Sequence, residues 1–423
     1  MNTLLSKLSL VFKDRGLRNR LFFLLGMLVI FRILATIPIP GIDIAKLDQF
    51  FSNNQLLGLL NIFSGGGLSN LSIIMLGVGP YITGSIIMQL STVLSPKLKQ
   101  LYMEEGEAGR KRFGQYSRIL TVPLAFIQGF SFLVLLERQG ILTHLGVMDF
   151  AINLLVIVGG SILLMWLGEL ITEFGIGNGV SIIIFAGIVA GLPQSLTNLV
   201  YNFNPAQIPL YIAFVLISFV IIAAVVTVTE AERPIPVTYA KRVRGSKVYG
   251  GISTYLPLRV NQAGVIPIIF ALSILLFPQM IFNLLTQVGN PLVNKIGTVV
   301  SSGLANQWVY GLLYFLLVFM FTYFYTAVTF DPDSISNNLQ KNGAFIPGVR
   351  PGPSTSTHIS KILVRITFVG ALFLAFIAIL PLIMQGISGI QTLALGGTAL
   401  LIVVSVVLDL IRKVDAQVSM REY

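Results

Sequence analysis

Two short basic stretches hold most of the chain's capacity for chemistry with a partner: KRVRGSK at residues 241–247 and PGVRPG at residues 347–352. Guanidinium and ammonium groups in Gly- and Pro-bearing loops suit phosphate, which they bind by releasing counterions, or acidic patches on a protein. The candidate docking residues are therefore Lys241, Arg242, Arg244, Lys247 and Arg350. The same charges also serve to orient membrane spans. Bond-making chemistry finds much less. Cysteine is absent, which removes disulfides, thiolate metal sites and a Cys nucleophile. The two histidines, His144 and His358, fall in polar connections. There is no Ser/His pair or pair of aspartates within an apolar span, no H-E-x-x-H zinc signature and no G-x-x-x-x-G-K-[ST] phosphate loop. No catalytic residue, metal or cofactor is expected, and any nucleotide hydrolysis must come from a partner.

The elements that carry these loops are membrane spans. Charged residues make up 11% of the 423-residue chain and apolar residues 55%, against averages of about 25% and 45–50% in soluble domains. A spanning helix needs roughly 17–25 mostly apolar residues. Ten segments qualify as candidates, near 21–38, 71–94, 118–136, 151–172, 180–193, 209–229, 262–285, 307–329, 361–381 and 393–411. The first follows a basic lead, yet it is longer than a signal-peptide core and lacks an A-x-A-like cleavage site, so it reads as a retained span. The fold class is all-α and polytopic.

Charge placement sets the topology. Of 28 Lys and Arg, 24 fall in the N-terminal lead, around 95–118, in loop 230–261, in region 330–365 and in the tail. The alternate connections hold only Lys46, Arg138 and Lys295, and Arg32 lies within the first span. Positive charge collects in cytoplasmic connections, so both termini are expected in the cytoplasm. Residues 1–20 read as a cytoplasmic amphipathic segment, with Leu4, Leu5, Leu8, Val11 and Phe12 on one helical face.

The spans divide into two halves, 21–193 and 209–411, followed by a tail at 412–423. Gly77-Val78-Gly79-Pro80-Tyr81-Ile82 in the second span matches Gly264-Val265-Ile266-Pro267-Ile268-Ile269 in the seventh as G-V-x-P-x-I. Five spans separate them. Equivalent helices therefore run in opposite directions, which is an inverted repeat, and paired Gly/Pro interruptions mark the pathway between repeats. The fifth segment is short, with thirteen residues from Val180 to Leu192 before Pro193, so neighbours rather than lipid are expected to shield it.

Longer motifs carry a family resemblance. FRILATIPIPGI (31–42), NIFSGGGLSNLSI (61–73), PYITGSIIMQL (80–90), EEGEAGRKRFGQYSR (104–118), WLGELITEFGIGNGVSIIIFAGIVAGLP (166–193), TYAKRVRGSKVYGGISTYLPLRVNQAGVIPIIFA (238–271), GAFIPGVRPG (343–352) and GGTALLIVV (396–404) together resemble the SecY family. That family forms the central subunit of the bacterial protein-conducting channel. The resemblance implies two five-helix halves closing around a central pore that passes unfolded secretory polypeptides, in the bacterial plasma membrane. It implies a plug near 58–70, including Phe63, Ser64, Gly65, Gly66, Gly67 and Leu68. It implies a pore ring of Val78, Ile82, Val180, Ile184, Ile269 and Ile402, for which the i, i+4 pairs 78/82 and 180/184 give independent support. Family members more often carry isoleucine where valine stands at 78 and 180.

The second and third spans would face the seventh and eighth as a lateral gate that releases hydrophobic segments and signal sequences into lipid, with Ser85, Gln89 and Asn261 as polar groups at the seam. Loops 230–261 and 330–361 would dock the ribosome, including its rRNA, and the SecA ATPase, with Arg350 critical for the latter. EAERPIPV at 230–237 departs from the family by having fewer basic residues and more prolines. SecE is the expected companion subunit and SecG a possible one. The competing reading is an ion-coupled secondary transporter. It would share ten spans and an inverted repeat but calls for ionisable groups at the midplane. Arg32, Glu169, Glu173 and Asp409 lie mostly toward span ends.

Overall fold

The computed structural model describes residues 14–40, 64, 66–68, 70–103, 105–138, 140–142, 146–201, 205, 208–239, 242–244, 247–249, 253–285, 295, 297, 303, 306–388 and 391–419. The amphipathic lead at 1–13, Phe63, Gly65 and Lys241 lie outside them.

Helix dominates because the spans must satisfy their own backbone groups in hydrocarbon. In chain order the helices are α1 (Arg15–Thr36), α2 (Gly79–Leu94), α3 (Pro96–Met103), α4 (Gly106–Arg138), α5 (Val147–Phe174), α6 (Gly179–Tyr201), α7 (Ile208–Glu230), α8 (Ile266–Leu285), α9 (Gln307–Thr329), α10 (Pro332–Lys341), α11 (Pro353–Ser388) and α12 (Gln391–Ser419). Leaving aside α3 and α10, ten helices among the described residues answer in order to the ten apolar segments. Among the described residues, α1, α4, α5, α7, α9 and α11 are long and apolar enough on their own to cross a bilayer.

The halves repeat in three dimensions. In the first, α2 packs on α4, α4 on α5, α5 on α6, and α1 on both α5 and α6. In the second, α8 packs on α9, α9 on α11, α11 on α12, and α7 on both α11 and α12. The two neighbour patterns are the same under the five-span shift. Between halves, α8 lies against α2 and α4, while α12 lies against α6.

Two expected boundaries move. Residues 71–78 do not join the second span's helix but form consecutive turns, and α2 begins at Gly79. The cause is Gly77, whose φ of +60° breaks right-handed helix immediately upstream. The helix of the fifth span runs past its expected end, since α6 continues through Pro193 to Tyr201, 23 residues in all, while its apolar part, Gly179–Gly191, is short as expected. A proline inside a helix removes one hydrogen bond without ending it when neighbours hold both flanks, and here Thr197 Oγ1 donates to the Pro193 carbonyl at 2.7 Å. The expectation of shielding holds for the first turns, where Ile182, Ile183, Ile184 and Ile188 are buried.

Glycines on α5 set its close approaches. A methyl on Gly160 would stand 2.0 Å from the Ile73 carbonyl oxygen, and one on Gly179 at the start of α6 would stand 1.9 Å from that of Gly168. Only hydrogen fits at either place.

Outside the membrane segments, β1 (Glu232–Tyr239), β4 (Ser253–Arg259) and β5 (Ala344–Phe345) form an antiparallel sheet in the order β4-β1-β5, and β2 (Arg242–Arg244) pairs with β3 (Lys247–Tyr249). β5 comes from the second large loop and pairs with β1 of the first at Thr238 and Tyr239.

Candidate functional site

The repeated motif places matching turns ahead of α2 and α8. Gly77 and Gly264 both adopt left-handed backbone, with φ of +60° and +63°. Each is followed by a buried valine, Val78 or Val265, and then by a helix whose second residue is proline, Pro80 or Pro267. Proline in a first turn gives up an N–H that has no helical partner anyway, so these prolines start helices rather than kink them. The Gly77 carbonyl accepts from Ser161 Oγ at 3.1 Å. The Gly264 N–H donates to Asn261 Oδ1 at 2.9 Å.

From these starts the branched side chains converge. Val78, Ile82, Ile184, Ile269 and Ile402 are all buried and belong to one apolar cluster, with Val180 half-buried against it. They come from α2 or its N-cap, α6, α8 and α12, two elements from each half. An apolar meeting point of this kind excludes water and ions while its walls touch. The cluster is larger than these six residues and extends along several helices.

At the seam where α8 meets α2 and α4, the three expected polar groups act locally. Asn261 caps its own turn, as above. Ser85 is half-buried on α2, one turn beyond Tyr81. Gln89 Oε1 is shielded and, among the described residues, accepts no hydrogen bond. Buried polar side chains on the same helices that the sequence does not single out include Thr83 on α2, Gln128 on α4 and Ser273 on α8. Gln128 Oε1 reaches to 4.0 Å from where a methyl on Gly79 would stand. Their signal was present, for Ser273 lies four residues beyond Ile269 and Thr83 follows Ile82 in otherwise apolar runs.

The segment 64–73 is tied to the end of α1. Ile39 N–H donates to the Leu71 carbonyl and Ile73 N–H to the Ile37 carbonyl, each at 3.0 Å, around the bridge Pro38–Ser72. Asn70 Nδ2 donates to the Ala35 carbonyl at 3.3 Å. Within the turn, Ser64 Oγ accepts from the Leu68 N–H at 2.9 Å, and Leu68 packs into a second cluster with Phe132 and Leu133 of α4 and Leu154 and Ile157 of α5. Ser64 and Gly67 are buried, and Gly66 takes φ of +82°.

The charges near span ends are engaged. Arg118 Nε donates to Glu169 Oε1 at 2.5 Å, joining α4 to α5, and Lys413 pairs with Asp409 at 2.8 Å on α12.

The basic turn is held by a small folded platform. Ile235 and Val237 of β1, Leu258 of β4, Ala344 of β5, Ile346 and Ile359 of α11 form one apolar cluster, so the two large loops make a single unit. Pro234 and Pro236 lie where β1 has only β4 beside it, which leaves the other edge free for residues that lack an N–H. Ser336 Oγ donates to the Gly352 carbonyl at 2.7 Å, and Thr355 Oγ1 to the Arg350 carbonyl at 2.9 Å. The Arg350 backbone is therefore fixed while its side chain is exposed. In the β2–β3 ribbon, Arg244 stands opposite Lys247 and Arg242 opposite Tyr249.

Two inverted five-helix halves, packed on each other through one shared apolar cluster, define a multi-pass α-helical membrane channel. The SecY family model matches residues 72–411, and the chain belongs to the SecY family. It is 42% identical over 431 residues to protein translocase subunit SecY of Halalkalibacterium halodurans, covering 98% of each chain. Its fold is similar to a solved structure concerning the plug domain of the SecY protein, which is said to stabilise the closed state of the translocation channel and maintain a membrane seal. That match has a TM-score of 0.66 at 20% identity and covers 95% of this chain and 92% of the other. It is similar also to Sec61 in the canine ribosome-channel complex, with a TM-score of 0.60 at 18% identity, covering 95% and 93%.

Proposed function

We propose that this chain is the channel subunit of a protein translocase, passing unfolded secretory polypeptides through a central pore and releasing hydrophobic segments sideways into lipid. The observation that carries this reading is the meeting of Val78, Ile82, Ile184, Ile269 and Ile402, drawn from both halves, in one buried apolar cluster behind two matching helix starts. Branched, uncharged side chains suit a gasket around a moving chain of any sequence, because they seal by dewetting and offer no specific bonds to break. Val180 completes the ring. Residues 63–68 act as the plug on its outer side. Opening between α8 and the pair α2/α4 is the lateral gate, with Ser85, Gln89 and Asn261 along it.

The platform of β1, β4, β5 and α10 is the docking face. Arg350 meets the SecA ATPase, and Lys241, Arg242, Arg244 and Lys247 meet ribosomal phosphate or acidic protein. Like charges opposed in a ribbon, as at Arg244 and Lys247, favour an anionic partner. SecE and SecG are the companion subunits, the membrane is the bacterial plasma membrane, and both termini are cytoplasmic. A secondary transporter gains no support, since Glu169 and Asp409 are each spent in ion pairs.

The test uses the cysteine-free background. Cysteines at positions 82 and 269 should each form disulfides with a cysteine in a secretory chain stalled in transit. Efficient cross-linking only to lipid-facing positions, such as 216 or 312, would refute a path through this subunit.

A further inference from the structure

Beyond Arg20, α1 carries one ionisable residue, Arg32, four residues before its end. A lone charge in a span is expensive to keep in hydrocarbon and by default marks function. Its position gives it an object. A methyl built on Gly66 would lie 3.5 Å from Arg32 Nη1, so the guanidinium reaches the plug turn itself. One turn further along α1, the Ala35 carbonyl receives the Asn70 side chain, and the backbone bonds of Ile37 and Ile39 follow. The last two turns of α1 thus carry successive attachments to residues 66–73.

Those attachments differ in kind. The bonds at 70–73 tie down the base of the segment. Arg32 alone among them is charged, and it addresses the turn at Gly66, which is half-buried with φ of +82° and, among the described residues, has the guanidinium as its one neighbour within 4 Å of a methyl there. A guanidinium presents five donors in a planar fork suited to clustered carbonyl oxygens, which an ammonium matches less well.

We propose that Arg32 is a positioning residue that latches the plug turn in the closed channel, holding residues 64–68 against the end of α1 until a translocating chain displaces them. This rests on the plug reading given under Proposed function. Displacing the turn also breaks the Ser72 N–H bond to the Gly67 carbonyl and pulls Leu68 from its apolar cluster, while the bonds of residues 70–73 to the end of α1 are separate from these.

The experiment is resting ion conductance of the complete channel complex in planar bilayers, for the parent, Arg32→Gln, Arg32→Lys, a deletion of residues 64–68, and that deletion combined with Arg32→Gln. Losing a hydrogen bond to a charged group corresponds to an opening equilibrium shifted about tenfold or more. Arg32→Gln should therefore raise resting conductance about tenfold, Arg32→Lys by less, and Arg32→Gln should add nothing once the turn is deleted. Parental conductance in Arg32→Gln, beside a leaky deletion, would overturn the latch and leave the plug standing. An equal increment from Arg32→Gln with and without the turn would also overturn it. A deletion as tight as the parent would bring down the plug reading itself. Should Arg32→Gln fail to accumulate in the membrane, Arg32→Lys decides, with conductance above the parent supporting the latch and parental conductance overturning it.

Discussion

Gly77 and Gly264, 187 positions apart, hold the same left-handed backbone, and each stands two residues ahead of a helix start. One conformation is needed twice because each half must turn an incoming strand of chain sharply into a pore-facing helix. Alanine at either position forces a Cβ into a region that costs L-residues about 1–2 kcal/mol. Gly77→Ala and Gly264→Ala should each lower thermal stability of the detergent-solubilised protein by that order, and Asn should cost less. Equal melting temperatures for Ala and Gly at both sites would contradict the paired-turn description.

The same segment tests close packing. A Cβ at Gly160 meets the Ile73 carbonyl oxygen at 2.0 Å, whereas the neighbouring Gly159 has nothing within 4 Å. Backbone cannot yield as a side chain does, so Gly160→Ala should destabilise by at least the 1–3 kcal/mol typical of overpacking, about. Gly159→Ala should be neutral or slightly stabilising. Thermal melts of the two variants side by side settle it.

Serine at Ile184 and Ile402 puts hydroxyls where the apolar cluster is driest. The double variant should wet the constriction and raise resting ion conductance in planar bilayers, while single Ile→Val changes should have small effects. A conductance trace indistinguishable from the parent would count against the ring.

The platform separates support from contact. Leu258 is fully buried under the sheet, and Leu258→Ala should cost about 2–5 kcal/mol locally, seen as faster limited proteolysis of both large loops together. Independent cleavage of the loops would deny the shared sheet.

Arg350 is exposed on a pinned turn. Arg350→Glu should therefore leave the protein inserted and the loops protease-resistant while abolishing SecA-driven export from reconstituted vesicles. Normal export would refute the docking assignment.

Much of this architecture was legible in the residues. Span order follows from hydropathy, a sum over short windows that needs no knowledge of packing. The G-V-x-P-x-I match located the paired turns, because a glycine at positive φ and a first-turn proline are both local requirements. The i, i+4 spacing put Val78 with Ile82 and Val180 with Ile184.

What remained depended on partners far along the chain. Nothing around Pro193 says whether a helix stops or continues, and α6 runs through it. Loops 230–261 and 330–361 lie far apart in the sequence, and the pairing of Thr238 and Tyr239 with Phe345 and Ala344, over a shared apolar cluster, makes them one body. Thr83, Gln128 and Ser273 gain meaning only from the adjacency of α2, α4 and α8. Arg32 was visible as an isolated charge, but that it faces Gly66, 34 positions away, was a matter for the folded chain. Local chemistry fixes which segments form helices; contacts between distant segments exist only once those helices have packed, and no short window of sequence contains them.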